Sequence, residues 1–85
     1  SKIDDGSSIL DSMIGKNTEI INSKIENSTI LSGTKISSNV HLESSLIGRN
    51  VIIGENSIIS NSIVNHDSLI PQGTILRDSK WPLID

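Results

Sequence analysis

The chain has 85 residues, no cysteine and a formal net charge of −3, with seven basic residues scattered from Lys2 to Lys80. That length allows one small domain, the missing cysteines exclude a disulfide framework or a thiolate metal site, and the scattered charge lacks the basic stripe that nucleic acid requires. No apolar run is long enough to span a membrane and no charged-then-apolar leader opens the chain, so the expected setting is cytoplasmic.

Phe and Tyr are absent, Trp81 is the sole aromatic residue, and the apolar content is almost all Ile, Leu and Val. Branched aliphatics separated by Ser, Asn and Gly predict many short strands. Taken in chain order, an aliphatic recurs two residues after a small or branched one. The first three units are Ser1/Ile3, Ser7/Ile9 and Ser12/Ile14, and the next three are Thr18/Ile20, Ser23/Ile25 and Ser28/Ile30. Thr34/Ile36, Val40/Leu42, Ser45/Ile47, Val51/Ile53, Ser57/Ile59 and Ser62/Val64 follow, then Ser68/Ile70 and Thr74/Leu76. Residues two apart in a strand face the same way. Each unit therefore points a pair inward and leaves one residue between them facing out.

The steps between successive aliphatics are six or five residues, and three steps advance the chain by 16 or 17. Four of the five-residue steps recur once per coil, at Ile9 to Ile14, Ile25 to Ile30, Leu42 to Ile47 and Ile59 to Val64. A square pentapeptide coil needs a strict step of five, and eight of the thirteen steps are six; a triangular coil fits. The residue before each inward pair must turn the chain, which favours Gly, Asn or Asp. From Gly6 to Gly73 every such corner obeys this except Ser44. Stacked coils place Asn22, Asn39 and Asn56 above one another as an expected amide ladder.

The predicted fold is an all-β triangular solenoid of between four and five coils over residues 1–76, with 77–85 as a C-terminal cap or tail. The register is expected to stop at Leu76, with Trp81, Leu83 and Ile84 folding over the last coil. Outward residues are mostly polar in the first half, Lys2, Ser8, Glu19, Lys24, Lys35 and His41 among them. In the second half they become Leu46, Ile52, Ile58, Ile63, Leu69 and Ile75. Such a patch exceeds what a soluble monomer usually leaves bare. The expected interface is Met13, Leu31, Leu46, Ile52, Ile58, Ile63, Leu69 and Ile75, with the face carrying Met13, Thr29, Leu31, Leu46 and Ile63 as the expected homo-oligomer contact.

Fragments such as Ile14-Gly15-Lys16-Asn17 and Ile47-Gly48-Arg49-Asn50-Val51-Ile52-Ile53-Gly54-Glu55-Asn56 resemble the bacterial hexapeptide-transferase repeat, and the resemblance implies a left-handed parallel β-helix. Hexapeptide acyltransferases use a His as general base between subunits. His66, beside Asp67 at a corner, and His41, on a strand, are the candidates for that alternative, acyl-CoA-dependent reading. The excursion loop and C-terminal extension usual in those enzymes are not seen. Two histidines fall short of the three zinc ligands of the related carbonic anhydrases. Thr18, Thr29, Thr34 and Thr74 do not align into an ice-binding ladder.

The stretch from Ser12 to Ile53, with Glu19 to Gly33 and Glu43 to Ile53 as its tightest parts, resembles the C-terminal β-helix of long-form glucose-1-phosphate thymidylyltransferases. Mannose-1-phosphate guanylyltransferases and glucose-1-phosphate adenylyltransferases carry similar Asn-Ser corners, so nucleotide and sugar stay open. The resemblance implies a parent enzyme that converts a nucleoside triphosphate and a sugar 1-phosphate to a nucleotide sugar and pyrophosphate. Its Gly-rich loop and its Mg²⁺ belong to an N-terminal catalytic domain. For this chain it implies no catalytic, cofactor or metal residue, and as partners the catalytic domain, further copies of the chain, or both.

Overall fold

The structure, a computed structural model, describes residues 2–3 and 6–82. No described residue is helical, and no helix is long and apolar enough to cross a membrane. Fifteen short strands wind into three parallel sheets of five. Face A holds β1 (Lys2–Ile3), β4 (Glu19–Ile20), β7 (Lys35–Ile36), β10 (Ile52–Ile53) and β13 (Leu69–Ile70). Face B holds β2 (Ser8–Leu10), β5 (Lys24–Glu26), β8 (His41–Glu43), β11 (Ile58–Ser60) and β14 (Ile75–Arg77). Face C holds β3 (Met13–Ile14), β6 (Thr29–Ile30), β9 (Leu46–Ile47), β12 (Ile63–Val64) and β15 (Lys80–Trp81). This is the left-handed parallel β-helix expected from the spacing and the resemblance, with five coils.

The inward aliphatics form one core. From Ile20 to Leu76 every member of the predicted series is buried, and Val40 and Val51 join them. Ile9 and Ile14 in the first coil are only partly buried, and Ile3 is 46% exposed. Among the described residues the first coil has a neighbour on one side only, so its core residues have one layer of contacts fewer.

The corners behave as their residue types require. From Asp11 to Gly73, every expected turning residue has a positive φ, and Ser44 adopts 49° despite being neither Gly, Asn nor Asp. The recurring five-residue step is the corner between faces B and C. Of the expected Asn22–Asn39–Asn56 ladder, one side-chain rung is seen among the described residues: Asn22 Nδ2 donates to Asn39 Oδ1 at 3.5 Å. A shorter rung stands at another corner, where Asn61 Nδ2 donates to Asp78 Oδ1 at 2.7 Å.

The inward Ser and Thr side chains have a task that spacing did not reveal. The hydroxyls of Ser7, Ser12, Ser23, Ser28, Thr34, Ser45 and Ser62 each accept a hydrogen bond from a backbone N–H one coil further on. On face C the sequence runs Ser28 N to Ser12 Oγ (3.1 Å), Ser45 N to Ser28 Oγ (3.2 Å), Ser62 N to Ser45 Oγ (3.3 Å) and Ser79 N to Ser62 Oγ (3.2 Å). Ser23 Oγ serves Val40 N, and Thr34 Oγ1 serves Val51 N, both at 3.2 Å. These N–H groups lie at buried corners, where an orphaned donor is costly.

The register does not stop at Leu76. Asp78 turns the next corner with φ 50°, Ser79 adds a hydroxyl rung, and Lys80 and Trp81 pair with Ile63 and Val64. The expectation that 77–85 is a separate cap or tail is therefore corrected for residues 77–81, which continue the solenoid. A search for Ile, Leu or Val at the inward site passed over Trp81, which occupies that site and packs against the core. Leu83 and Ile84 lie outside the described residues.

Candidate interaction surface

Stacking turns the outward residues into columns. Face A carries Lys2, Glu19, Lys35, Ile52 and Leu69. The strands of face B are three residues long and carry two columns. One is Ser8, Lys24, His41, Ile58 and Ile75; the other is Leu10, Glu26, Glu43, Ser60 and Arg77. Face C carries Met13, Thr29, Leu46, Ile63 and Lys80.

Seven of the eight expected interface residues are exposed, and Met13 is the most exposed at 72%. Leu31 is half-buried. In the second half the aliphatics fall into three adjacent pairs, Leu46 with Ile63, Ile52 with Leu69 and Ile58 with Ile75, one on each face. The result is an apolar collar around consecutive coils. The face expected to be apolar along its whole height ends in a charge, because its fifth member is Lys80. Leu10 and Ile21 are exposed aliphatics that the sequence reading missed. Apart from Leu31, only the residue between each inward pair was expected at the surface, whereas Leu10 follows its inward aliphatic on a three-residue strand and Ile21 opens a corner.

The first half of face B holds a charged cluster. Lys24 Nζ lies 3.4 Å from Glu26 Oε1, and His41 Nε2 lies 3.4 Å from the same oxygen and 3.9 Å from Glu43 Oε2. Glu26 and Glu43 are register neighbours, and like charges so placed repel; the Lys24 ammonium sits where it offsets that repulsion. His41 Nε2 is sealed from solvent and has no hydrogen bond of acceptable geometry among the described residues.

His66 is bound differently. Its Nδ1 accepts the backbone N–H of Arg49 at 2.8 Å, one coil earlier. A neutral imidazole has a single acceptor nitrogen, and this bond occupies it. Gly48 makes the approach feasible, since a Cβ there would lie 2.8 Å from His66 Nδ1 and 2.7 Å from His66 N. The neighbouring Asp67 forms no ion pair with His66 among the described residues; its backbone N–H instead donates to Arg49 O at 2.8 Å. His66 thus acts as a corner staple, and a general base would have to break that bond first. His41, on a strand of face B, and His66, at the corner leading to face A, are not brought together. No group of three His, Cys, Asp or Glu side chains among the described residues is arranged to hold a metal ion.

Residues 1–79 match the family model described as GlmU-like, C-terminal hexapeptide. The chain belongs to that family. No curated protein matches it. The matched span runs through Ser79, beyond the point where an aliphatic count alone ends the repeat.

Proposed function

We propose that this GlmU-like hexapeptide domain is the non-catalytic assembly and interdomain β-helix of a sugar-1-phosphate nucleotidylyltransferase, closest to the long-form glucose-1-phosphate thymidylyltransferases. In this reading the parent enzyme joins a sugar 1-phosphate to the α-phosphate of a nucleoside triphosphate and releases pyrophosphate. The reacting groups and the Mg²⁺ that balances their charge belong to the N-terminal catalytic domain, and no step is assigned to a residue of the β-helix. A cytoplasmic setting is part of the same proposal.

The collar carries the reading. Its six aliphatics are between 36% and 63% exposed on all three faces. Covering an aliphatic side chain completely contributes about 1.5–3 kcal/mol, so a bare collar is a standing drive towards association. A C-terminal position in the family's description supports a domain placed behind another. The engagement of the His66 lone pair by Arg49 N–H supports a structural reading of that histidine over the acyltransferase alternative.

Sedimentation equilibrium of the chain at micromolar concentration tests the assembly role. Self-association is expected, and a double Leu46→Asp, Ile63→Asp variant is expected to weaken it at least tenfold without loss of the β circular-dichroism signal. A wild-type chain that stays monomeric overturns the assembly role. The parent assignment is tested separately by the coding sequence upstream of Ser1, where a Gly-rich loop after an apolar strand is expected; a start codon immediately before Ser1 overturns it.

A further inference from the structure

Four asparagines precede a serine, Asn22, Asn27, Asn56 and Asn61, and all four are exposed corner residues with a positive φ. An asparagine followed by a small residue can cyclise on its own backbone, which is one reason asparagine is thermolabile. The four share the same Asn-Ser pair, so a difference in reactivity between them has to come from the solenoid. We propose that Asn56 is a deamidation site, converting through a succinimide to aspartate and isoaspartate, while hydroxyl rungs protect Asn22, Asn27 and Asn61.

The reaction uses the backbone nitrogen of the following serine. That nitrogen attacks the Asn Cγ; the N–Cγ bond forms and the Cγ–Nδ2 bond breaks. The N–H proton passes to water or hydroxide, and the amide leaves as ammonia with a proton drawn from water. One water then opens the imide. Cleavage at Cγ gives aspartate, and cleavage at the main-chain carbonyl carbon gives isoaspartate. No oxidant or reductant enters.

A nitrogen whose N–H already donates to a fixed acceptor is held away from that attack. Ser23 N donates to Ser7 Oγ at 3.2 Å, Ser28 N to Ser12 Oγ at 3.1 Å, and Ser62 N to Ser45 Oγ at 3.3 Å. Ser57 N has no equivalent acceptor. Ile58 pairs with His41, so the residue one coil behind Ser57 is Val40, which carries no hydroxyl. The side chains divide in the same way. Asn22 Nδ2 donates to Asn39 Oδ1, and Asn61 Nδ2 donates to Asp78 Oδ1. Above Asn56 the corner column continues with Gly73, which offers no amide, and a Cβ built there would meet nothing within 4 Å. Isoaspartate at this corner would add a backbone methylene between Ile53 and Ile59, in the coil that carries the collar residues Ile52 and Ile58.

The folded chain, held in mildly alkaline buffer well below its melting temperature, is followed by peptide mapping with mass spectrometry. Asn56 is expected to convert about five- to tenfold faster than Asn22, Asn27 or Asn61, the factor that one hydrogen bond on the attacking nitrogen is worth. Fraying of the open first coil would instead put Asn22 and Asn27 first, so the order of rates separates the two causes. In denaturant the four rates are expected to converge. Val40→Thr supplies the missing hydroxyl, as Thr34 Oγ1 does for Val51 N, and is expected to slow Asn56 to the rate of the others. Ser12→Ala, at a half-buried site, removes the rung from Ser28 N and is expected to raise Asn27 towards the Asn56 rate, which keeps the test open should Val40→Thr fail to fold. Equal rates at the four sites of the folded chain, or a faster rate at any of the other three, overturn the proposal. An Asn56 rate unchanged in a folded Val40→Thr chain, or an Asn27 rate unchanged in Ser12→Ala, overturns it as well.

Discussion

Ser44 holds a φ of 49° in a corner column whose neighbours are Asn27 and Asn61. A non-glycine residue in the left-handed region is penalised by its Cβ, and Asn tolerates it best because its short amide bonds locally. Ser44→Asn is therefore expected to stabilise the chain by up to about 1 kcal/mol, read as a rise in melting temperature. A fall would mean that the Ser44 side chain has a task its φ does not reveal. His66 teaches the complementary lesson. It stands beside Asp67 in the sequence like half of a catalytic pair, yet its acceptor nitrogen is committed to Arg49 N–H. Adjacency in sequence said nothing about which lone pair was free.

Strands of two or three residues have few ladder bonds of their own, so the elements depend on what happens between them. The hydroxyl rungs meet that need. Ser45 Oγ donates to Glu43 O at 2.8 Å while accepting Ser62 N–H at 3.3 Å. Ser45→Ala leaves a buried donor without a partner, and a loss of about 1–3 kcal/mol is expected in chemical denaturation. Ser8→Ala, at an exposed outward site, is the control and should stay within about 0.5 kcal/mol. Equal effects at both sites would remove the rung as the explanation. The preference for Ser and Thr at these inward positions was plain in the sequence, but small size alone explained it equally well until the partner N–H groups were located.

At the scale of the whole molecule, stability is distributed along one axis because each coil contacts only its neighbours. Ile53 lies in the fourth coil and is fully buried, whereas Ile3 at the open first coil is nearly half exposed. Ile53→Ala is expected to cost about 2–5 kcal/mol and Ile3→Ala well under that, since the cost follows the cavity left behind. Amide hydrogen exchange should grade in the same direction, slowest in the strands of the third and fourth coils and fastest in β1 to β3. Uniform protection along the axis would contradict a nearest-neighbour solenoid. The two ends also differ: Trp81 packs on the core at one, while Ile3, Ile9 and Ile14 are incompletely covered at the other.

The repeat of inward pairs, the left-handed corners and the triangular coil were legible from residue order, because each depends on interactions spanning only a few residues. Inward and outward follow from the two-residue period of a strand, and a turning residue announces itself by type. The end of the register was misread for a local reason: Trp81 occupies an aliphatic site, and a rule framed on branched aliphatics does not see it. Which outward residues share a column, that Lys80 ends the face C column, that Gly48 makes room for His66, and that the hydroxyls of Ser12, Ser28, Ser45 and Ser62 each cap an N–H one coil away were decided only by the tertiary structure. Those facts link residues 16 to 18 apart, and a one-residue change in coil length would reassign every partner while leaving the local pattern intact.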